Sequence, residues 1–194
     1  MFLKKTHSAS RGKLSHLKAR DEIYKKIMKK AEYWIEKLGL IKHPEGGWYR
    51  EVYRANESIK KEHLHERYKS DRLHSTSIYF LITDKEFSAF HRIKSDEIWH
   101  FYHGSSITIH MIDDNGSYSA VKLGKDADKG EVFQYAIKQG VWFAGAVEAK
   151  GSYGLIGCTV SPGFHFDDFE LGEREKLVKM FPGHKKVIEW LTRL

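Results

Sequence analysis

The apolar positions change period twice along the chain. Between 21 and 38, Ile23, Ile27, Ala31, Trp34, Ile35 and Leu38 recur at three- and four-residue steps with lysines between them, and Gly39 follows. That spacing predicts one amphipathic helix ended by a glycine cap. From residue 75 the period shortens to two, in the runs 77–83, 87–93, 97–103, 106–112, 117–123, 131–137, 141–147, 153–160 and 163–167. Turn signals separate them, such as Asp113 to Gly116 and Lys129-Gly130, so the runs predict strands of an all-β sandwich or barrel. No strand–helix–strand alternation appears, and a parallel sheet is not expected. Pro44 and the Gly46-Gly47 pair mark a turn before an aromatic strand, while residues 55–74 are polar without a period and predict a long surface loop, with helix left open in part of it. The helical period returns at 173–180, breaks at Pro182-Gly183 and resumes at 185–194, where Val187, Ile188 and Leu191 share a face.

One segment carries most of the chemistry, SAFHRIKSDEIWHFYHG at 88–104. Alternate residues of a strand share a face, so His91 lies with Ala89 and Ile93, and Glu97 with Trp99 and Phe101. Burial raises a carboxyl and lowers an imidazole, while their attraction opposes both shifts, so such a pair can titrate near neutrality and move protons. The alternative is a pair that only satisfies itself inside a core. Trp99, Phe101 and Trp142 offer faces to a sugar or planar ring, or serve as core. Arg50, in an aromatic strand beside a Gly-Gly turn, suits a carboxylate or phosphate clamp. Arg50 and Glu51 have opposite parity, so only one of them faces a cavity; an ion pair across the sheet or a dimer interface is the alternative. His110 adds a donor if it points inward, His100 has the wrong parity, His103 sits at a strand end, and His63 and His65 lie in the polar loop. No nucleophile motif, P-loop or dinucleotide fingerprint occurs.

Composition narrows the class. With 194 residues, 41% hydrophobic and 13% aromatic, one domain is expected. The single Cys158 excludes an internal disulfide and reads as a buried core thiol in a reducing compartment. No apolar run approaches the roughly 18 residues of a membrane span, so a soluble cytoplasmic protein without a membrane partner is expected. The net charge of +7 is local: residues 1–38 carry 11 Lys and Arg against 4 Asp and Glu, and residues 39–194 carry 22 of each. The surplus belongs to an N-terminal extension, 1–20, that reads as a disordered tail, with an organellar transit peptide as the alternative. A neutral remainder argues against specific nucleic-acid binding.

The 88–104 segment resembles the first motif of the cupin superfamily, with His91 at its first histidine, Ile93 at its second, Glu97 at its glutamate and Gly104 at its closing glycine. The second motif would run from Gly130 to Phe143, which stands at its histidine. Two of four ligands therefore remain, and neither a metal nor another cofactor is expected. HPEGGWYRE at 43–51, STSIYFL at 75–81 and GCTVSPGFHFDDFEL at 157–171 resemble a small single-domain family of unassigned function, cupin 5, from about residue 33 to the C-terminus. The resemblance implies a mainly β jelly roll, a double-stranded β-helix with an N-terminal helix and short C-terminal helices, as a single domain over 21–194 that pairs as a homodimer. It also implies an RmlC-like pocket for a small polar ligand and a metal-independent epimerase or isomerase acting through His91 and Glu97. A non-catalytic binding protein and a metal-dependent enzyme with substituted ligands are the alternatives. His165 and Phe143 depart from the family pattern, at positions where an acidic and a polar residue are usual.

Overall fold

A computed structural model of the chain describes residues 30–193; the expected extension at 1–20 and the first part of the expected helix lie outside them. The described part of that helix, α1 (Ala31–Leu38), ends as its glycine predicts: Gly39 is left-handed at φ 61°. The Leu40 N–H then bonds back to the Ile35 carbonyl at 2.9 Å, satisfying a helix-end acceptor. Trp34, Ile35 and Leu38 pack on Leu40, Leu81, Tyr153 and Leu155.

Thirteen strands follow among the described residues: β1 (Ile41–Lys42), β2 (Trp48–Arg54), β3 (Ser58–Ile59), β4 (Arg72–Leu73), β5 (Thr76–Thr83), β6 (Phe87–Arg92), β7 (Asp96–Gly104), β8 (Ile107–Ile112), β9 (Tyr118–Leu123), β10 (Gln134–Ile137), β11 (Trp142–Ala146), β12 (Tyr153–Ser161) and β13 (Glu170–Leu171). A six-stranded sheet runs β1-β2-β5-β12-β7-β10 and a five-stranded sheet runs β13-β6-β11-β8-β9, with β3 and β4 paired separately. The strand ladders are antiparallel. Phe80, Ile82, Trp99 and Ile156 of one sheet meet Ile107, Ile109, Met111 and Phe143 of the other in the main core. This is the mainly β jelly roll expected. The outer face of the five-stranded sheet is also covered: α2 (Arg174–Met180) and α3 (Lys185–Trp190) lay Leu177 and Ile188 over Phe90, Ile112, Trp142 and Ala144. Every residue of β8 is therefore buried.

One expectation fails locally, and another is incomplete. The run 163–167 is not a strand. Pro162 has no N–H to give a ladder, the Gly163 N–H goes to Leu73 O at 2.7 Å, and the chain turns through a short 3₁₀ segment, Phe166–Asp168. Residues 55–74 are more than a surface loop, because they bury Tyr68 and Arg72. Arg72 forks onto Asp168, Nε to Oδ2 at 2.5 Å and Nη2 to Oδ1 at 2.6 Å, and its Nη1 donates to the Ser70 and Asp71 carbonyls and the Ser70 hydroxyl. A buried arginine so fully paired reads as polar surface in a sequence.

Candidate active site

A turn and two strands bring the titratable groups together. In the turn between β1 and β2, Gly46 and Gly47 have φ 114° and 74°, and a Cβ on them would lie 2.1 Å from Phe87 O and 2.7 Å from Leu81 O. Only glycine fits both the conformation and the space. The turn is tied to β6 by the Ala89 N–H, which donates to Glu45 O at 2.9 Å. Glu45 thereby enters the barrel beside His91 on β6, with Glu97 supplied by the start of β7.

Glu45, His91 and Glu97 are buried, and Glu45 links His91 to the half-buried His43. Glu45 Oε1 accepts from Ser88 Oγ at 2.8 Å, and Oε2 lies 3.2 Å from His91 Nε2 and 3.6 Å from His43 Nδ1. His91 Nδ1 donates to Ala89 O at 2.7 Å, which fixes the tautomer and leaves Nε2 toward Glu45. Its ring packs on Phe143, with centroids 4.0 Å apart, and on Phe169. His43 Nδ1 accepts the Glu45 N–H at 3.3 Å. Glu97 Oε1 accepts from Trp99 Nε1 at 2.8 Å, and Cys158 lines the same cavity.

Burial dominates the charge states. It pulls His91 below its ordinary value, against the attraction of Glu97 and the Ala89 bond, and it lowers His43, against the attraction of Glu45. It raises Glu45, against His43 and the Ser88 bond. With the acid pushed up and the base pushed down, burial favours the uncharged forms of both His91 and Glu45. Burial likewise raises Glu97 to about 7, the nearby His91 opposing and Glu45 adding to the shift. Glu97 therefore changes charge near neutral pH.

These groups face a cavity of about 270 Å³. Ile78, Phe80, Ile93 and Val160 supply apolar walls; Phe164, Phe166 and Phe169 form an aromatic wall; Glu51, Arg54 and Thr76 complete the lining. Glu51 and Arg54 are exposed and mark the opening.

Of the residues picked from sequence, His91, Glu97 and Glu51 line this cavity, and the other five do not. Arg50 points the other way, as its parity allows, and its Nη1 donates to Leu38 O at 2.9 Å at the end of α1. Trp99 is core and reaches the site only through Glu97. Phe101, two residues further along, lines a separate hollow with Gly104, Ser105 and Ser106. His110 and Trp142 occupy the outer face of the five-stranded sheet. The register explains this: Phe143 pairs with His91 on one side and Met111 on the other, whereas Ala144 pairs with His110 and Trp142 with Ile112. His110 Nδ1 meets Tyr118 Oη at 2.7 Å, and Trp142 lies under the Arg92 guanidinium, 4.6 Å from its centroid. Cys158 is buried as expected, and it also touches the cavity.

His43, Glu45, Arg54 and Thr76 escaped the sequence reading. A histidine and a glutamate flanking a proline, just before two glycines, were the available signal. The donors present do not fit the metal centre that the motif resemblance brings to mind. Ile93 and Phe143 fill two of its positions, both His91 nitrogens are engaged, and no three His, Cys, Asp or Glu among the described residues are grouped to hold an ion.

The family described as "Cupin superfamily (DUF985)" matches residues 32–172. Uncharacterized protein YML079W of Saccharomyces cerevisiae is 29% identical over 159 residues, 77% of this chain and 79% of its own length. Two solved structures are similar throughout. A hypothetical protein from Leishmania major is 33% identical with a TM-score of 0.78, covering 86% of this chain and 100% of that one. Protein SO0799 from Shewanella oneidensis is 40% identical with a TM-score of 0.78, covering 86% and 99%.

Proposed function

The chain belongs to the cupin superfamily, in the family described as DUF985, and from that premise we propose that its barrel binds a small polar carbonyl compound and moves a proton on it without a metal, as isomerases and epimerases do. The observation that carries this reading is Glu97, a buried carboxyl raised to about 7, facing the same cavity as the neutral His91–Glu45 pair. An ionised Glu97 takes a proton from the carbon beside the carbonyl. The Glu45–His91 pair gives a proton to the carbonyl oxygen, so an enol forms with charge balanced. Glu97 then returns a proton to the carbon as the pair takes one back from oxygen, and where the neighbouring carbon carries a hydroxyl the enediol can be protonated there instead, which moves the carbonyl. The apolar and aromatic walls exclude water from the charged step. A cavity of about 270 Å³ is at the small end for ligand sites, which favours a compact molecule over a whole nucleotide sugar.

Exchange of solvent deuterium into pyruvate, glyceraldehyde and fructose tests this, because it reports proton abstraction whatever the final product. The wild type is expected to exchange one of them faster than buffer, with the rate rising through pH 7 as Glu97 ionises. Glu97→Gln or His91→Asn is expected to lose about 10²- to 10⁴-fold. Unchanged exchange in both variants would remove these residues from the mechanism, and absence of exchange for a compound that binds would make the protein a binding module.

A further inference from the structure

Arg54 and Thr76 are register partners across β2 and β5, and both line the cavity. Two hydrogen-bond donors therefore stand side by side on one wall. Glu51 occupies a single edge of the guanidinium, with Arg54 Nε donating to Oε1 at 2.9 Å and Nη2 to Oε2 at 2.6 Å. An arginine has five N–H groups, so the edge made by Nη1 and the second Nη2 hydrogen is left open, with no hydrogen bond to any described residue. Thr76 Oγ1 accepts the Phe164 N–H at 3.0 Å, which leaves its own O–H proton uncommitted on a residue only 3% exposed. A buried hydroxyl proton without an acceptor, on the strand partner of an arginine with an open edge, calls for a group that only accepts.

We propose that this end of the cavity is an anion subsite, where a carboxylate or phosphate of the ligand takes the open edge of Arg54 and accepts a further bond from the Thr76 hydroxyl. The inference rests on the cavity being a ligand site, and not on any proton being moved there. Arg54 is the only Lys or Arg among the lining residues, and its planar fork matches a two-oxygen anion. Glu51 holds that fork in place through an exposed ion pair, which itself contributes little to stability. It also places a negative charge beside the incoming anion. Glu51 therefore orients Arg54 while opposing the anion, and Glu51→Gln keeps an acceptor for the fork while removing the opposing charge.

Calorimetric titration of the full chain at constant ionic strength, with matched probes, tests the subsite: pyruvate against hydroxyacetone, and fructose 6-phosphate against fructose. The expected result is binding of one anion at least about tenfold tighter than its neutral partner. Pyruvate and fructose 6-phosphate distinguish a carboxylate from a phosphate ester. Arg54→Gln is expected to abolish the preference, Thr76→Val to reduce it, and Glu51→Gln to strengthen anion binding. Thermal midpoints of the unliganded variants establish that each is folded. A neutral partner that binds equally well, a preference that survives Arg54→Gln, or no anion binding in the wild type would each overturn the subsite. Anion preference without deuterium exchange would leave the subsite standing and refute the proton transfer alone.

Discussion

The two faces of the five-stranded sheet each bury a histidine, and only one of those histidines opens on the cavity. His91 on β6 and His110 on β8 are 2% and 5% exposed, and burial pulls both below their ordinary value, opposed by Glu97 for the first and by Glu148 for the second. On the inner face His91 has both nitrogens engaged, one by the Ala89 carbonyl and one by a carboxyl at 3.2 Å, and it opens on a cavity. On the outer face His110 Nε2 has no hydrogen-bond partner, and neither has Trp142 Nε1 nearby; the Trp190 ring stands edge-on at 5.3 Å. Burial and weakened basicity are thus common to both positions. What separates them is a partner able to hold the proton and a space in which a ligand can receive it.

The largest effect expected from breaking this contrast concerns the wall of the inner side. Arg72→Met leaves the Asp168 carboxylate buried without its fork and is expected to cost about 3–5 kcal/mol in urea unfolding; a loss under about 1 kcal/mol would show that the pair holds little. Next comes Glu97→Gln. Because the folded pKa, about 7, lies above the usual 4.5, the folded chain holds a proton that the unfolded chain has released between those values. Wild-type stability on this account falls as pH rises from 4.5 to 7 and is constant above. The variant escapes that loss, so it is expected to be no more stable than wild type near pH 4, yet more stable above pH 7 by on the order of 3 kcal/mol. His91 runs the other way, since its lowered value costs stability as pH falls through the ordinary histidine range, and comparing the two variants pH by pH keeps the effects apart. The smallest effect is on the outer face. His110→Phe forfeits the Tyr118 bond and removes the unpartnered Nε2, so stability is expected to move by no more than about 1 kcal/mol and deuterium exchange not at all. A His110 variant that loses exchange would erase the contrast.

Much of the fold was legible, because strand alternation and turn residues are local signals. Eight of the nine runs became strands. The ninth, 163–167, failed because the partners that draw it off the ladder, Leu73 and Thr76, are far away in the chain. The site was legible only in half. Parity on a continuous motif placed His91 and Glu97 on the inner face, and it separated Arg50 from Glu51. It could not place His110 or Trp142, since a sheet buried on both faces hides which parity is inward. Glu45 was missed because a turn delivers it, and turns have no periodicity; Arg54 was missed because a register shift in β2 between Glu51 and Tyr53 breaks simple alternation.

The central claim is that the cavity holds a carboxyl that changes charge near neutrality beside a proton-sharing pair. Infrared difference titration reads it directly, following the protonated-carboxyl stretch of the wild type from pH 4 to 9 with Glu97→Gln as the assignment control. The account predicts a band that disappears with a midpoint of about 7 and is missing from the variant. A spectrum in which every carboxyl has ionised by about pH 5, as unperturbed acids do, would contradict it.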